Sequence, residues 1–183
     1  GTALDGSRVS FQANQYGSFY QMIDSRFPLG YETSFYIFGS DSFSLIETDS
    51  PNSGWPTSAV SALAFTEQTI DYFKDNHNFD AVNLDGAALF VAVDLDKESA
   101  SFQPETNTMY LGLGQGGIAR DGLSLAASKD VVGHEITHGI VATTSSLNYE
   151  FQSGALNESF SDFFGSMIDG DDWYIGEDLQ SPL

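Results

Sequence analysis

The spacing of apolar residues changes along the chain, from a pattern typical of strands in the first part to one typical of helices in the second. Between residues 6 and 47, short apolar and aromatic runs are broken by Gly, Asn, Pro and Ser, which predicts strands joined by turns. Further strands are predicted over 81–96 and 109–113. Helices are predicted over 57–76 and 129–143.

A third helical pattern follows a loop rich in Ser, Asn and Gly. Its apolar stripe consists of Leu156, Phe160, Phe163, Phe164 and Met167. Glu158 and Asp162 lie four residues apart on the opposite side, where carboxylates usually face water. Three small residues flank them and would allow another helix to approach closely: Ser159, Ser161 and Gly165. The two carboxylates are therefore either solvated or turned towards the preceding helix.

The helix predicted over 129–143 follows Ser128, a favourable N-cap, and contains the motif His-Glu-Ile-Thr-His at 134–138. Because residues four apart in a helix lie on one face, His134 and His138 project together and can bind one zinc ion. Glu135 points roughly 100° away, where it can act as a general base on a water at the open metal position. The alternative is a chance match on a surface helix.

A catalytic zinc site needs a third protein ligand, and the chain offers few candidates. It contains three histidines and no cysteine, and Thr144 stands where the third histidine of an HExxHxxGxxH motif would fall. His77 or a carboxylate remains. We interpret His77 as a structural residue at a helix end and Glu158 as the third ligand, with Asp162 orienting one ligand imidazole.

These motifs resemble those of the thermolysin family of secreted neutral metallopeptidases. The segments that carry the resemblance are DVVGHEITH at 130–138, GALNESFSDFFG at 154–165, DYFKDNH at 71–77 with Asp-Gly at 85–86, Tyr149, and WYIGED at 173–178. The resemblance implies an α+β fold, in which a β-rich N-terminal lobe contains long helices, including a central helix with the HExxH motif.

The resemblance also implies a zinc-dependent endopeptidase that acts on peptide or protein substrates. The implied zinc ligands and the residues that support their imidazoles are His134, His138 and Glu158, with Asp162 and Asn157. Glu135 is the implied general base, and Tyr149 the implied hydrogen-bond donor to the oxyanion. The strand along which the substrate would pair by β-augmentation contains Ala100, Ser101 and Phe102.

The same resemblance divides the chain into two parts. Residues 1–145 are expected to form the β-rich lobe that ends with the HExxH helix, and residues 146–183 to begin a helical lobe. The remainder of that lobe, which in the family supplies a histidine and an arginine to the cleft, would be a partner of this chain. The resemblance also implies that the enzyme is secreted and made as a zymogen. Its targeting segment and propeptide would then have been removed already.

The charge balance is strongly negative, since 26 acidic residues stand against 6 basic ones, for a net charge of −20. This argues strongly against nucleic acid and anionic membranes as partners. Two explanations remain: the chain binds cations, or its acidic surface is adapted to salty surroundings. The absence of cysteine excludes a disulfide framework.

Part of the acidic excess is concentrated between residues 169 and 178, where five carboxylates lie within ten residues. Such a cluster is stabilised when a hard cation such as Ca²⁺ binds among the oxygens. The alternative is a solvated acidic loop. The calcium ligands implied by the resemblance are Asp130, Asp169, Asp172, the backbone carbonyl of Tyr174, and Glu177, with Asp178 as a further candidate.

Two functions therefore remain open. The first is a metallopeptidase catalytic region, which the intact Glu135 favours. The second is a zinc- and calcium-binding module that cleaves nothing without the remaining helical lobe. In the second case we expect weak or absent activity, with the apolar stripe between Leu156 and Met167 exposed where that lobe would dock.

Overall fold

The computed structural model describes residues 1–28, 32–39, 44–79, 88–115 and 119–180. The segment at 85–86 and the first part of the strand predicted over 81–96 lie outside the described residues. The described residues form strands followed by long helices, so the expected α+β class is confirmed.

The strands form two separate sheets. In chain order they are β1 (Asn14–Tyr16), β2 (Phe19–Gln21), β3 (Ile23–Pro28), β4 (Glu32–Phe38), β5 (Glu47–Thr48), β6 (Leu89–Leu95), β7 (Ala100–Gln103) and β8 (Thr108–Gly112). The smaller sheet has the order β1-β2-β5, and the larger has the order β3-β4-β6-β8-β7. Strands β4, β6 and β8 are parallel, whereas β3 and β7 pair antiparallel at the two ends of the larger sheet.

In the described residues three α-helices accompany the sheets: α1 (Thr57–His77), α2 (Lys129–Thr144) and α3 (Phe151–Asp169). The predictions over 57–76 and 129–143 therefore agree with α1 and α2 to within one residue at each end. Residues such as Leu63 of α1, Val91 of β6 and Ile136 of α2 belong to one buried apolar cluster. Because α2 joins this cluster along one side, its other side is left to carry polar groups.

Ser128 occupies the N-cap position of α2, but its side chain does not cap the helix, which corrects the sequence-based expectation. Its hydroxyl donates instead to the Asp130 carboxylate. That carboxylate also accepts the backbone N–H of Val131 at 2.6 Å. A carboxylate is a stronger acceptor than a hydroxyl, so Asp130 accepts the N–H at the start of the helix that Ser128 would otherwise bind.

Strand β7 forms the edge of the larger sheet on the side of α2. It pairs with β8 in the register Ser101↔Tyr110 and Phe102↔Met109, and no further strand of the described chain pairs with its other edge. Ala100 and Phe102 pack against the buried apolar cluster. The outer backbone groups of β7 are thus in a position to pair with an added strand.

Helices α2 and α3 cross at two glycines. A Cβ atom on Gly165 would lie 2.7 Å from the backbone oxygen of Asp130, and one on Gly133 would lie 3.0 Å from Ile168 Cδ1. Ser161, one turn before Gly165, is also fully buried, whereas Ser159 is exposed. Small residues thus bring the two helices together as predicted, although Ser159 does not take part.

Helix α3 turns its small and polar face inward, towards α2, and leaves most of its apolar stripe exposed. The buried residues of the helix are Gly154, Asn157, Ser161, Gly165 and Ser166. The exposed apolar residues are Leu156, Phe160, Phe163 and Met167, each between 40% and 47% exposed. Phe164 is the exception, because its ring packs 5.0 Å from that of Phe73 and 5.5 Å from that of His77. His77 therefore lies at the end of α1 in an aromatic cluster.

Replacing Gly165 by Ala should destabilise the chain by about 1–3 kcal/mol, because the added methyl group would overlap the backbone of α2. The free energy of unfolding in urea measures the loss. Ser159→Ala, on the exposed side of α3, is the matched control and should change stability by no more than about 0.5 kcal/mol. Equal stabilities of the two variants would contradict the close crossing.

Candidate metal centre and cleft

The two motif histidines of α2 point into the same space. Their Nε2 atoms lie 3.0 Å apart. His134 Nδ1 lies 3.0 Å from Asp162 Oδ1, and His138 Nδ1 lies 2.8 Å from Asn157 Oδ1. Because a carboxylate can only accept a hydrogen bond, Nδ1 of His134 carries the proton, and the amide oxygen favours the same tautomer of His138. Both Nε2 lone pairs are then free to bind a cation.

Glu158 reaches the same point from α3. Its Oε2 lies 3.3 Å from His134 Nε2, and its Oε1 lies 3.8 Å from His138 Nε2. Donor atoms about 2.0–2.1 Å from a tetrahedral zinc ion are roughly 3.3 Å from one another, which is close to these separations. The structure thus brings His134, His138 and Glu158 together as one group of metal-ligand atoms.

The chemistry of this group favours a bound cation. Two imidazole lone pairs and a carboxylate that face one another repel unless a proton or a metal ion lies between them. Burial and the neighbouring His138 lower the pKa of His134, so a proton binds weakly between these groups. Zinc, which takes two nitrogens and one carboxylate oxygen and leaves a fourth position open, fits these donors.

Glu135 lies beside this group of possible ligand atoms without joining it. Its side chain is buried, and its Oε2 has no hydrogen-bond partner among the residues that the structure describes. Burial and the nearby Glu158 raise the pKa of Glu135 to about 8, against the opposing effects of Lys97 and the Phe102 backbone N–H. A buried carboxylate with a free oxygen is suited to exchanging a proton with a bound molecule.

An open cleft of about 710 Å³ runs past these groups. One wall contains Ala100, Ser101 and Phe102 of β7, the residues predicted to form the substrate edge. The lining also contains Tyr149, whose ring centroid lies 5.8 Å from that of His138 and which is 65% exposed. The edge strand, the ligands, Glu135 and Tyr149 therefore share one cleft.

The predicted calcium ligands are only partly brought together. Carboxylate oxygens of Asp169, Asp171 and Glu177 form one group, whereas Asp172 Oδ1 accepts the backbone N–H of Tyr174 at 2.6 Å. The structure thus places Asp171 in the group where the sequence suggested Asp172, because a local turn engages the Asp172 carboxylate. Tyr174, whose backbone carbonyl was predicted as a further ligand, is 75% exposed.

Asp130 and Asp178 lie around this group. Oδ2 of Asp130 accepts the backbone N–H of Gly176 at 2.6 Å, which ties the start of α2 to the loop before Glu177. Burial is the main cause that raises the pKa of Asp178, and Asp130 adds to it. These carboxylates therefore supply negative charge, while the backbone contacts hold the loop in place.

The acidic group also has the electrostatics of a cation site. Burial and a hydrogen bond with Asp171 raise the pKa of Asp169 to about 6. Burial, together with neighbouring acidic residues, raises the pKa of Glu177 to about 7, and its buried Oε2 has no partner in the described part of the chain. Oxygen donors in such a group fit Ca²⁺.

Sequence reasoning missed two residues of these groups. Ser161 Oγ lies 3.1 Å from His138 Nδ1, and Asp171 belongs to the acidic group. Ser161 follows Asn157 by four residues, so helical spacing would have placed both on the face that supports His138. Nothing in the Asp-Gly-Asp-Asp run at 169–172 distinguishes Asp171 from Asp172.

Two histidines and a glutamate beside a buried carboxylate in an open cleft define a metal-dependent hydrolase type of site. Comparison with known proteins agrees with this class. A family model described as the thermolysin metallopeptidase catalytic domain matches residues 1–142, and one described as its alpha-helical domain matches residues 145–182. The chain therefore belongs to the thermolysin metallopeptidase family, which confirms the resemblance found in its motifs.

Individual relatives support the assignment. Bacillolysin of Brevibacillus brevis is 35% identical over 182 residues, which cover 100% of this chain and 34% of the relative. Neutral protease NprE of Bacillus pumilus is 32% identical over 185 residues, covering 98% of this chain and 61% of the relative. The chain thus spans about a third of the length of bacillolysin.

A solved structure shares the fold. The precursor of protealysin, a metalloproteinase from Serratia proteamaculans, superposes with a TM-score of 0.62 at 27% identity. The match covers 74% of this chain and 42% of that chain.

Replacing Glu158 by Ala should remove zinc from the chain. Loss of a residue that only supports a ligand typically weakens metal affinity 10–100-fold, and loss of a ligand should exceed that. Elemental mass spectrometry after dialysis against metal-free buffer measures zinc per chain. Asp75→Ala, an exposed acidic residue of α1, is the matched control and should retain one zinc. A Glu158→Ala chain that retains zinc would contradict the assigned ligand set.

Replacing Glu177 by Gln should reduce the stabilisation of the chain by calcium. Calcium at 100 times its Kd should stabilise the wild type by about 2.7 kcal/mol, which is roughly 5–10 °C in Tm, and the variant by less than half of that. Thermal unfolding of zinc-loaded protein with and without calcium provides the measurement, with Asp71→Asn of α1 as the control. The same calcium shift in all three proteins would show that the acidic group is a solvated loop.

Proposed function

We propose that this chain is the zinc-binding region of a secreted endopeptidase that hydrolyses peptide bonds with Glu135 as general base. The observation that carries the proposal is the meeting of His134 Nε2, His138 Nε2 and Glu158 beside the unpartnered Oε2 of buried Glu135. A purely structural zinc site has no use for a free carboxylate next to an open cleft. Membership of a metallopeptidase family supports the same reaction.

In this mechanism His134, His138 and Glu158 hold zinc, which when bound supplies Lewis acidity to the scissile carbonyl and to a water. Glu135 accepts the proton of the attacking water and then delivers it to the leaving amine. Glu135 can serve both steps because its Oε2 has no partner among the described residues and is free to take up and release a proton.

The other residues of the cleft bind and orient the substrate. The free edge of β7, with Ala100, Ser101 and Phe102, pairs with the extended peptide through backbone hydrogen bonds. Tyr149 donates a hydrogen bond to the oxyanion that forms as water adds to the carbonyl, a charge that is greatest in the transition state. Its exposed side chain in the cleft supports this role.

Asp162 and Asn157 support the ligands. Each holds the Nδ1–H of one histidine, so that Nε2 faces Glu158. Calcium is proposed as a second cofactor, held by Asp169, Asp171 and Glu177 with Asp130 close by. Its place after α3 would fix the end of the helix that carries Glu158.

The context of the enzyme is also proposed. We place the division between lobes at residues 145 and 146 and expect a further helical lobe to complete the cleft. Relatives named as extracellular elastase and as a precursor of protealysin favour secretion and a propeptide partner. None of the described helices combines the length and apolar character needed to cross a membrane.

A second candidate is a zinc- and calcium-binding module that cleaves peptides only with another helical segment in place. The exposed apolar stripe of α3 favours it, because a monomer rarely leaves such a row of large side chains in water. Adding a separately made helical lobe of a relative and measuring hydrolysis would separate the two candidates.

Replacing Glu135 by Gln should leave zinc binding intact and lower peptide hydrolysis by about 10²–10⁴-fold, because the amide cannot accept the proton of water. Hydrolysis of an internally quenched peptide and zinc content are measured on the same samples. Asp75→Asn of α1 is the control and should match the wild type in both. A variant with full zinc and wild-type hydrolysis would contradict the role of Glu135.

A further inference from the structure

Lys129, the first residue of α2, reaches across to the last residue of α3. Its Nζ donates to the backbone oxygen of Asp169 at 2.7 Å and lies 3.3 Å from Asp169 Oδ1. The side chains of Lys129 and Asp169 are only 22% and 11% exposed. The carbonyl groups at the end of a helix are negatively polarised and lack helical partners, so the ammonium group binds a helix end and a carboxylate together.

Several further carboxylates surround this contact. One carboxylate oxygen of Asp171 lies within 4.8 Å of one of Asp169, and the positive charge of Lys129 opposes the rise in the pKa of Asp178, which burial causes. The remaining acidic residues of the loop, Asp172 and Glu177, add to the same negative field. The ammonium group of Lys129 therefore contacts one carboxylate of an acidic group in the place where calcium is proposed to bind.

We propose that the Lys129 ammonium is a resident cation, that is, a positive charge built into this acidic group. It holds α3 on α2 in the absence of calcium, and it weakens the binding of calcium. The same positive charge has both effects, since it offsets the repulsion among the carboxylates and repels a divalent ion near Asp169. The inference rests on the proposed calcium site, but it does not depend on peptidase activity.

An ordinary surface ion pair would behave differently. Exposed pairs contribute little to stability, and an ion pair remote from a metal site leaves metal affinity unchanged. Lys129 differs from such a pair in three ways. Its side chain has low exposure, it donates a second bond to the carbonyl at the end of α3, and it contacts Asp169, a carboxylate of the acidic group. Calcium affinity is thus the readout that distinguishes a resident cation from a simple tether.

The test compares Lys129→Met, which keeps the aliphatic chain, with Lys129→Arg, which keeps the charge. Arg8→Met is the matched control, because it removes one positive charge from an exposed N-terminal residue. Calcium binding to zinc-loaded protein is measured by titration calorimetry, and Tm is measured without calcium and at saturating calcium.

For Lys129→Met we expect a lower Tm without calcium and a Kd for calcium at least about fivefold tighter, because the positive charge that is removed lies 3.3 Å from Asp169 Oδ1, an oxygen of the acidic group. The deficit in Tm should shrink at saturating calcium, because tighter binding stabilises the folded chain more. Lys129→Arg should resemble the wild type, and Arg8→Met should change the Kd by less than about twofold.

Equal calcium affinities of Lys129→Met and Arg8→Met would overturn the proposal, and so would a Tm deficit that calcium does not reduce. A Lys129→Met chain that stays unfolded at every calcium concentration, while Lys129→Arg folds, would also overturn it, because Lys129 would then be only a structural tether. If Lys129→Met binds calcium more tightly but the wild type hydrolyses no peptide, this inference stands and the proposed peptidase function fails.

Discussion

The close crossing of α2 and α3 is the constraint on which the rest of the site depends. A Cβ atom on Gly165 would lie 2.7 Å from the backbone oxygen of Asp130, and one on Gly133 would lie 3.0 Å from the side chain of Ile168, so larger residues at these positions would push the helices apart. Glu158 lies about two turns before Gly165 on α3, and His134 lies one residue after Gly133 on α2. The glycines thus bring a carboxylate and two imidazoles from distant parts of the sequence to one point.

The same crossing gathers negative charge at two places along α2. One is the metal-ligand group with Glu158 and Glu135, and the other is the acidic group after α3, where the start of α2 supplies Asp130 and Lys129. In a chain with a net charge of −20, packing further carboxylates together costs free energy unless cations offset them. Zinc, calcium and the ammonium of Lys129 are proposed to act as those cations, which would make the folding of this region depend on metal.

Helix α3 shows why polarity alone misleads in such a region. An apolar stripe ordinarily faces the core, yet here Asn157, Ser161 and Gly165 are buried and Phe160, Phe163 and Met167 are exposed. The inward face is polar because Asn157 and Ser161 contact Nδ1 of His138, and it is small because the neighbouring backbone is close. The apolar face is then left on the outside, available to further protein.

The sequence by itself determined the local features of this protein. The spacing of His134 and His138, the boundaries of α1 and α2, and the motifs shared with the thermolysin family all depend on short stretches of chain, whose helical geometry follows from residue order. It also indicated Glu158, because only a few metal-ligand residues were available. Only the tertiary structure decided which groups meet: Asp171 and not Asp172 in the acidic group, Asp130 and not Ser128 as the acceptor at the start of α2, and Lys129 on the end of α3. These choices depend on how two helices and a loop pack within a few ångströms, and neighbouring carboxylates and hydroxyls of similar chemistry cannot be told apart until that packing fixes their distances.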